Sequence, residues 1–144
     1  MIRQATKYDK KIINNLMLQY KNESQIDYFK NLGESEYWNE LLAGIFAGRG
    51  IIFLAEDYGI LLAIIFPCIW SDKIMFLHEL AWYVTPQKRG SSAGYKLIKE
   101  YLNYGNKLKK ENKIQAFTIS KMPSSPNINY GRFGFKKIDE NWIQ

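Results

Sequence analysis

The chain has 144 residues, of which 47% are hydrophobic and 15% aromatic, and it carries a formal net charge of +6. This length predicts one domain, residues 1–144, with a single core. The longest apolar run, residues 60–70, contains Pro67 and is too short to cross a bilayer. The lone Cys68 excludes an internal disulfide, and the N-terminal residues lack the pattern of a signal peptide. Both observations favour a cytoplasmic location.

The positive charge is concentrated in lysines that flank predicted elements, a pattern typical of a solvated face. A nucleic-acid interface is therefore disfavoured, although such a field attracts a polyanionic ligand. The sequence contains no zinc-type cluster of cysteine and histidine and no Walker loop, so no metal site is predicted.

Hydrophobic periodicity predicts the elements of the first half in order. Residues 1–5 form a short strand, and two helices follow around residues 12–20 and 35–46, the second with Ser35 as its N-cap. Two apolar strands, 51–55 and 60–66, are joined by a tight turn. Residues 74–84 are apolar on both faces of a strand, which predicts a long central strand.

The second half continues with a helix over residues 91–108 and a strand over 114–119. Ser125 and Pro126 predict the start of a short helix, and residues 135–143 a final strand or small hairpin. This order predicts an α/β (α+β) fold. Its mixed sheet has about six to seven strands, antiparallel in its first half, with about four helices on both faces.

The loop that follows the long strand is the most informative motif. Small side chains leave the unpaired N–H groups of a helix N-terminus free to converge on an anion, which the helix dipole also favours. Arg89 adds a forked cation. Many helices begin in this way without binding anything, so the loop needs support from its surroundings. Its small residues are Gly90, Ser91, Ser92, Ala93 and Gly94.

Two segments together resemble the GNAT superfamily of acetyl-CoA-dependent N-acetyltransferases, and the resemblance spans essentially the whole chain. The first looks like the family's pyrophosphate loop, (Arg/Gln)-x-x-Gly-x-(Gly/Ala), and the second like its late Tyr-x-x-x-Gly-Phe segment. The register places Ser92 where the family usually has Gly; its hydroxyl either binds a phosphate or its side chain crowds the ligand. The loop is also similar to those of phage-encoded members. The segments are Val84-x-Pro86-x-x-Arg89-Gly90-x-x-x-Gly94-x-x-Leu97-Ile98 and Tyr130-Gly131-Arg132-Phe133-Gly134-Phe135.

The resemblance implies direct transfer of an acetyl group from acetyl-CoA to a primary amine, through a tetrahedral intermediate and without an acyl-enzyme. It implies that coenzyme A is held by the loop, Arg89 to Gly94, and by strand backbone that faces the segment 114–119. Asn127 either contacts the cofactor or caps the short helix. The strand residues are Trp82, Tyr83 and Val84, whose side chains are otherwise core residues.

Two catalytic residues are expected from the resemblance. Tyr130 matches a tyrosine that donates a proton to the cofactor sulfur, and otherwise packs on the sheet. Glu79, a carboxylate in an apolar strand, is expected to be paired, protonated or exposed, and burial would raise its pKa toward that of a general base. In a regular strand it shares the face of Ala81 and Tyr83. His78, on the other face, is the alternative base or a hydrogen-bonded core residue.

The resemblance places the acceptor site at the connection between the first two helices and at the last hairpin. Nine residues follow Phe135, so the hairpin must be short and the groove open, unless a second subunit in a homodimer covers it. This favours a peptide or protein amine over a small amine. The alternative function is a catalytically silent GNAT-like binding or structural module, supported by Ser92 and by the open choice of base. The connection contributes Tyr28, Phe29, Tyr37 and Trp38.

Overall fold

A computed structural model describes residues 1–123 and 125–144, with only the backbone of Asn31. These residues form a five-stranded sheet whose strands lie in chain order. Neighbouring strands are antiparallel except the last pair, which is parallel. The predicted mixed sheet is confirmed. Its strands are β1 (Ile2–Gln4), β2 (Gly50–Ala55), β3 (Gly59–Cys68), β4 (Ser71–Val84) and β5 (Ala116–Thr118).

Helices cover both faces of the sheet. On one face lie α1 (Lys10–Asn22) and α2 (Glu36–Gly44), and on the other α3 (Ala93–Lys110), which connects the parallel strands β4 and β5. The hydroxyl of Ser35 accepts from the Trp38 N–H, as predicted for the N-cap of α2. No helix in the described residues is both long and apolar enough to span a bilayer.

A β-bulge in β4 corrects the predicted strand faces. Ala81 pairs with Leu62, whereas Glu79 pairs with Ala63, so Leu80 is left without a partner and is 44% exposed. Because one extra residue shifts the alternation of side chains, Leu77 and Trp82 both pack under α3. Glu79 stands opposite Ala63 on that face, and the expectation that it shares the face of Ala81 and Tyr83 is wrong.

The C-terminal part also differs from the prediction. The predicted short helix from Ser125 is a 3-10 turn, Tyr130–Phe133, and Asn129 rather than Asn127 caps it by accepting from the Arg132 N–H. Residues 134–144 form no strand, which leaves five strands in the described residues instead of six to seven. The reason is their composition: Ile138 and Trp142 lie among charged and polar residues and are 76% and 87% exposed.

Close contact between α3 and β5 depends on Gly105. A Cβ built at this position would lie 2.6 Å from the ring of Phe117. Gly105 lies on the buried stripe of α3, where Leu97, Ile98 and Tyr101 are fully buried. Gly105 therefore allows α3 to pack closely on Phe117 of β5.

Candidate active site

The strands β4 and β5 separate at one point. Their last pair is His78 with Thr118, and beyond it the carboxylate of Glu79 accepts a hydrogen bond from the Ser120 N–H at 3.0 Å. The Glu79 carboxylate thus accepts the Ser120 hydrogen bond that a backbone carbonyl of β4 would otherwise accept. Of the three alternatives for Glu79, paired, protonated or exposed, the structure shows pairing, with a backbone group just after β5.

The separation leaves one edge of β4 open. The Thr85 N–H donates to the Tyr58 carbonyl, and Tyr83 pairs with Ile60, so these two residues face β3. The backbone N–H and C=O groups of successive strand residues point to opposite edges of the strand. Those of Trp82 and Val84 therefore face the open edge. Neither of their N–H groups has an acceptor beyond the strand ladder among the described residues. Of the three predicted strand residues, two therefore present backbone donors there and Tyr83 does not.

The loop before α3 presents further unpaired donors. A 3-10 turn, Pro86–Lys88, leads to Gly90 with φ +86°, and Ser91 accepts from the Ala93 N–H at 3.3 Å while donating to the Lys88 carbonyl. Four backbone N–H groups at the start of the helix have no acceptor within residues 1–123 and 125–144, as expected for a first turn. They belong to Gly90, Ser92, Gly94 and Tyr95.

The position of Ser92 requires no glycine. Its φ is −77°, an ordinary value for any residue, and its side chain makes no capping hydrogen bond. The positive φ that favours glycine falls on Gly90 instead. The substitution that the family resemblance marked as irregular thus causes no backbone strain, and the N–H of Ser92 is presented like its neighbours.

The Arg89 side chain is paired with other groups of the protein. Its Nη2 donates to Oε2 of Glu23 at 2.5 Å, and its Nε donates to the Val84 carbonyl at 3.0 Å. The guanidinium also lies 5.4 Å from the ring centroid of Tyr83, which packs on the α1 and α2 face. The Arg89 side chain thus pairs with the C-cap residue of α1 and with the carbonyl at the end of β4.

The indole of Trp82 supplies another unpaired donor. Trp82 is 5% exposed, and its Nε1 is buried with no partner among the described residues. A Cβ at Gly94 would lie 3.9 Å from Cζ2, on the same ring edge as Nε1, and 3.8 Å from Cγ of Pro126. The N–H edge of the ring therefore borders the start of α3. An unpaired buried donor costs free energy unless a ligand supplies its acceptor.

Burial changes the acidity of Glu79. The side chain belongs to a residue that is 5% exposed, and desolvation raises its pKa to about 7, with the Ser120 N–H opposing the shift. Three tyrosines lie close enough for its charge to raise their pKa values, although burial contributes more in each case. They are Tyr20, Tyr101 and Tyr130.

Tyr130 lies at the same site. Its ring packs edge-on against Trp82 with centroids 6.3 Å apart, and its hydroxyl donates to the Pro126 carbonyl at 3.2 Å. Burial, followed by the charge of Glu79, raises the pKa of Tyr130, so the phenol stays protonated at neutral pH. The two predicted catalytic residues, 51 positions apart in sequence, are brought to one location.

His78 lies on the opposite face of the sheet from Glu79. Its Nδ1 is 2.8 Å from Oγ1 of Thr118, and burial lowers its pKa below 6.5. It pairs with Ile64, which packs against the cluster under α1 and α2. The structure thus shows a hydrogen-bonded, half-buried histidine beside Phe76.

The acceptor side predicted from the resemblance is open. Tyr28 and Tyr37 are 63% and 75% exposed, whereas Trp38 is half-buried and donates to Oδ1 of Asn14. No hairpin forms over residues 134–144 to close this side. Three residues that shape the site could not be predicted from the sequence, because no local pattern marks them. They are Tyr20, Glu23 and Ser120.

Comparisons with solved structures identify the fold. Neither protein-family models nor curated proteins gave a match. An acetyltransferase from Trypanosoma brucei superposes with TM-score 0.67 at 13% identity, covering 100% of this chain and 97% of the other. A transcriptional regulator from Bacillus halodurans gives TM-score 0.68 at 15% identity, with coverage of 100% and 97%.

A third neighbour is an aminoglycoside acetyltransferase from an uncultured soil metagenomic sample, solved in complex with sisomicin. It gives TM-score 0.63 at 16% identity, covering 100% of this chain and 92% of the other. The chain has the GNAT acetyltransferase fold. Because a GNAT fold is shared here by proteins with different described roles, the activity must be argued from the site.

The raised pKa of Glu79 predicts a stability that falls with pH. Between pH 4.5, the ordinary value, and about 7, the folded state retains a proton that the unfolded chain has released. Folding therefore loses free energy as pH rises through this window, on the order of 3 kcal/mol in total. Glu79→Gln removes this loss, because a neutral amide oxygen still accepts from Ser120. Urea unfolding of both proteins from pH 4 to 8 measures the difference.

The variant is expected to be increasingly more stable than the wild type above pH 5. Glu34→Gln, at an exposed carboxylate on the α1–α2 connection, is the control and should leave the pH dependence unchanged. Parallel stability curves for the wild type and Glu79→Gln would show that the Glu79 carboxyl titrates normally.

Proposed function

We propose that this protein is an N-acetyltransferase that moves an acetyl group from acetyl-CoA to a primary amine. One observation carries the proposal: unpaired N–H donors run from the open edge of β4 to the start of α3, next to a buried carboxylate and a protonated phenol. Coenzyme A is rich in acceptors, since it combines a pyrophosphate with an amide-containing arm. A ligand of that kind matches the donors.

The residues present fit this group. The N–H groups of Gly90, Ser92, Gly94 and Tyr95, with Ser91 and Ala93 beside them, form an anion site at a helix N-terminus. The open edge of Trp82 and Val84 suits the amides of the arm, and the Trp82 indole gains an acceptor. Asn127, exposed before the 3-10 turn, is a further proposed contact of coenzyme A. Bound acetyl-CoA would supply an activated acyl carbonyl and a thiolate leaving group.

Glu79 is the proposed general base. A pKa of about 7 leaves a substantial fraction of the carboxylate ionised at neutral pH, yet basic enough to accept a proton from an ammonium group. The Ser120 N–H holds one carboxylate oxygen and leaves the other for the proton. An unpaired N–H on the open edge of β4 supplies a donor toward a developing oxyanion.

Tyr130 is the proposed general acid. Its raised pKa keeps the phenol protonated, and its packing on Trp82 fixes the ring at the open edge of β4. A phenol is both donor and acceptor, so it can exchange its bond to the Pro126 carbonyl for one to a departing thiolate. The proton balance closes when both nitrogen protons are counted. Glu79 takes the first from the ammonium group and passes it to solvent. The second, lost from the nitrogen as the amide forms, restores the phenol of Tyr130 after that phenol has protonated the sulfur.

The acceptor we propose is an amine on a peptide or protein. The α1–α2 connection exposes aromatic rings, and no C-terminal hairpin narrows the approach. An open approach suits a chain end or a lysine side chain better than an enclosed small amine. A panel of peptides, with sisomicin as a small polyamine because a neighbour was solved with it, separates the two classes by release of free coenzyme A.

Removal of the Tyr130 hydroxyl is expected to separate binding from turnover. Tyr130→Phe keeps the ring on Trp82 but removes the acid, so turnover should fall about 100-fold or more. The dissociation constant of coenzyme A, measured by calorimetry, should change less than about two-fold, because this bond forms only as the thiolate departs. Tyr104→Phe, on the same face but against Phe53, is the control with wild-type turnover. Unchanged turnover in Tyr130→Phe would exclude the acid role.

The pH dependence of turnover distinguishes Glu79 from His78 as base. Wild-type kcat/KM should rise with pH through about 7, because the carboxylate must be ionised. Glu79→Gln should lose this limb, whereas His78→Gln should keep it. Loss of the limb in His78→Gln, with the limb kept in Glu79→Gln, would contradict the proposal. Absence of any coenzyme A release by the wild type, with every amine tested, would favour the catalytically silent module.

A further inference from the structure

An ion-pair cluster joins α1 to the loop before α3. Glu23 is the C-cap of α1, and its N–H donates to the Gln19 and Tyr20 carbonyls, which fixes its backbone. Both carboxylate oxygens are used: Oε1 accepts from the Tyr83 hydroxyl at 3.0 Å and Oε2 from Arg89 at 2.5 Å. Arg89 in turn donates to the Val84 carbonyl, which closes the turn between them.

Arg89 and Gly94 contact residues on different faces of the sheet. Tyr83 packs with the cluster under α1 and α2, and the Arg89 guanidinium lies over its ring. Gly94, by contrast, borders Trp82 and Val84, whose side chains pack under α3. The Arg89 side chain therefore lies against the α1 and α2 face, and its Nε bond to the Val84 carbonyl also places it at the end of the open edge of β4.

We propose that Glu23 is a positioning residue for the cofactor loop, which it holds through Arg89 so that the backbone N–H groups alone bind the phosphates. This inference rests on the proposed function. Arg89 is thereby assigned a structural role in place of the phosphate contact expected from the sequence. Three contacts of different kinds, an ion pair, a backbone hydrogen bond and an aromatic face, hold its side chain in one orientation.

The two roles considered for Arg89 predict opposite effects of removing the Glu23 charge on the affinity for coenzyme A. If Arg89 is itself the cation that binds phosphate, Glu23 competes with the ligand, and removing its charge tightens coenzyme A binding. If Glu23 holds the loop through Arg89, the same change loosens the loop and weakens binding. Since the pair is partly exposed, with side chains 43% and 31% accessible, the expected weakening is about three- to ten-fold.

The test measures coenzyme A binding by calorimetry with the full chain. Glu23→Gln should weaken binding about three- to ten-fold, and Glu23→Gln with Arg89→Gln should be no weaker than Arg89→Gln alone, because both act through one contact. Glu34→Gln removes the same charge from the same connection and should bind like the wild type. Tighter binding by Glu23→Gln, or additive losses in the double variant, would overturn the inference.

A second measurement needs no ligand. Endoproteinase Lys-C cleaves after Lys88 in the turn, and Glu23→Gln should accelerate this cleavage about three- to ten-fold, in line with the loss of one partly exposed pair. Cleavage after the exposed Lys137 and the thermal midpoint should stay at their wild-type values. If the wild type fails to bind coenzyme A, the proposed function is wrong. Cleavage at Lys88 still tests whether Glu23 holds the loop through Arg89. An unchanged rate at Lys88 would overturn that inference.

Discussion

The separation of β4 from β5 beyond His78 is the constraint on which the site depends. Two features of β4 accompany it: the bulge at Leu80, which reverses the faces of the strand, and the bond from the Ser120 N–H to the Glu79 carboxylate. A backbone donor that would otherwise extend the sheet is satisfied by a side chain. The open edge of β4 and a buried acid are therefore consequences of the same arrangement.

The open edge needs a second boundary, and the loop before α3 supplies it. The start of α3 lies beside Trp82 and Val84, since a Cβ at Gly94 would be in ordinary van der Waals contact with both side chains. The unpaired N–H groups of the loop therefore lie near the open edge of β4. On the other face, Arg89 of the loop pairs with Glu23 at the end of α1, where the connection toward α2 begins. The proposed cofactor side and acceptor side thus share one charged contact, which links the order of the loop to the end of α1.

Local patterns made the loop and α3 predictable, whereas long-range contacts did not show in the sequence. Small residues before a helical stripe indicate an anion site without tertiary information, and Leu97 and Ile98 are buried as their spacing predicts. The Leu80 bulge was missed because a strand apolar on both faces shows no alternation that a shift could interrupt. Glu23 and Arg89 are 66 positions apart, and each resembles an ordinary surface charge. Residues 135–143 were predicted as a strand, but their charged residues leave too few apolar side chains.

The central claim is that the unpaired backbone donors bind the phosphates of coenzyme A. A ¹H–¹⁵N NMR titration of the labelled protein with coenzyme A tests it most directly. The account predicts that the amide signals of Gly90, Ser92, Gly94 and Tyr95 shift downfield and become protected from hydrogen exchange, together with the indole signal of Trp82. Saturating coenzyme A that leaves these five signals unchanged would contradict the account.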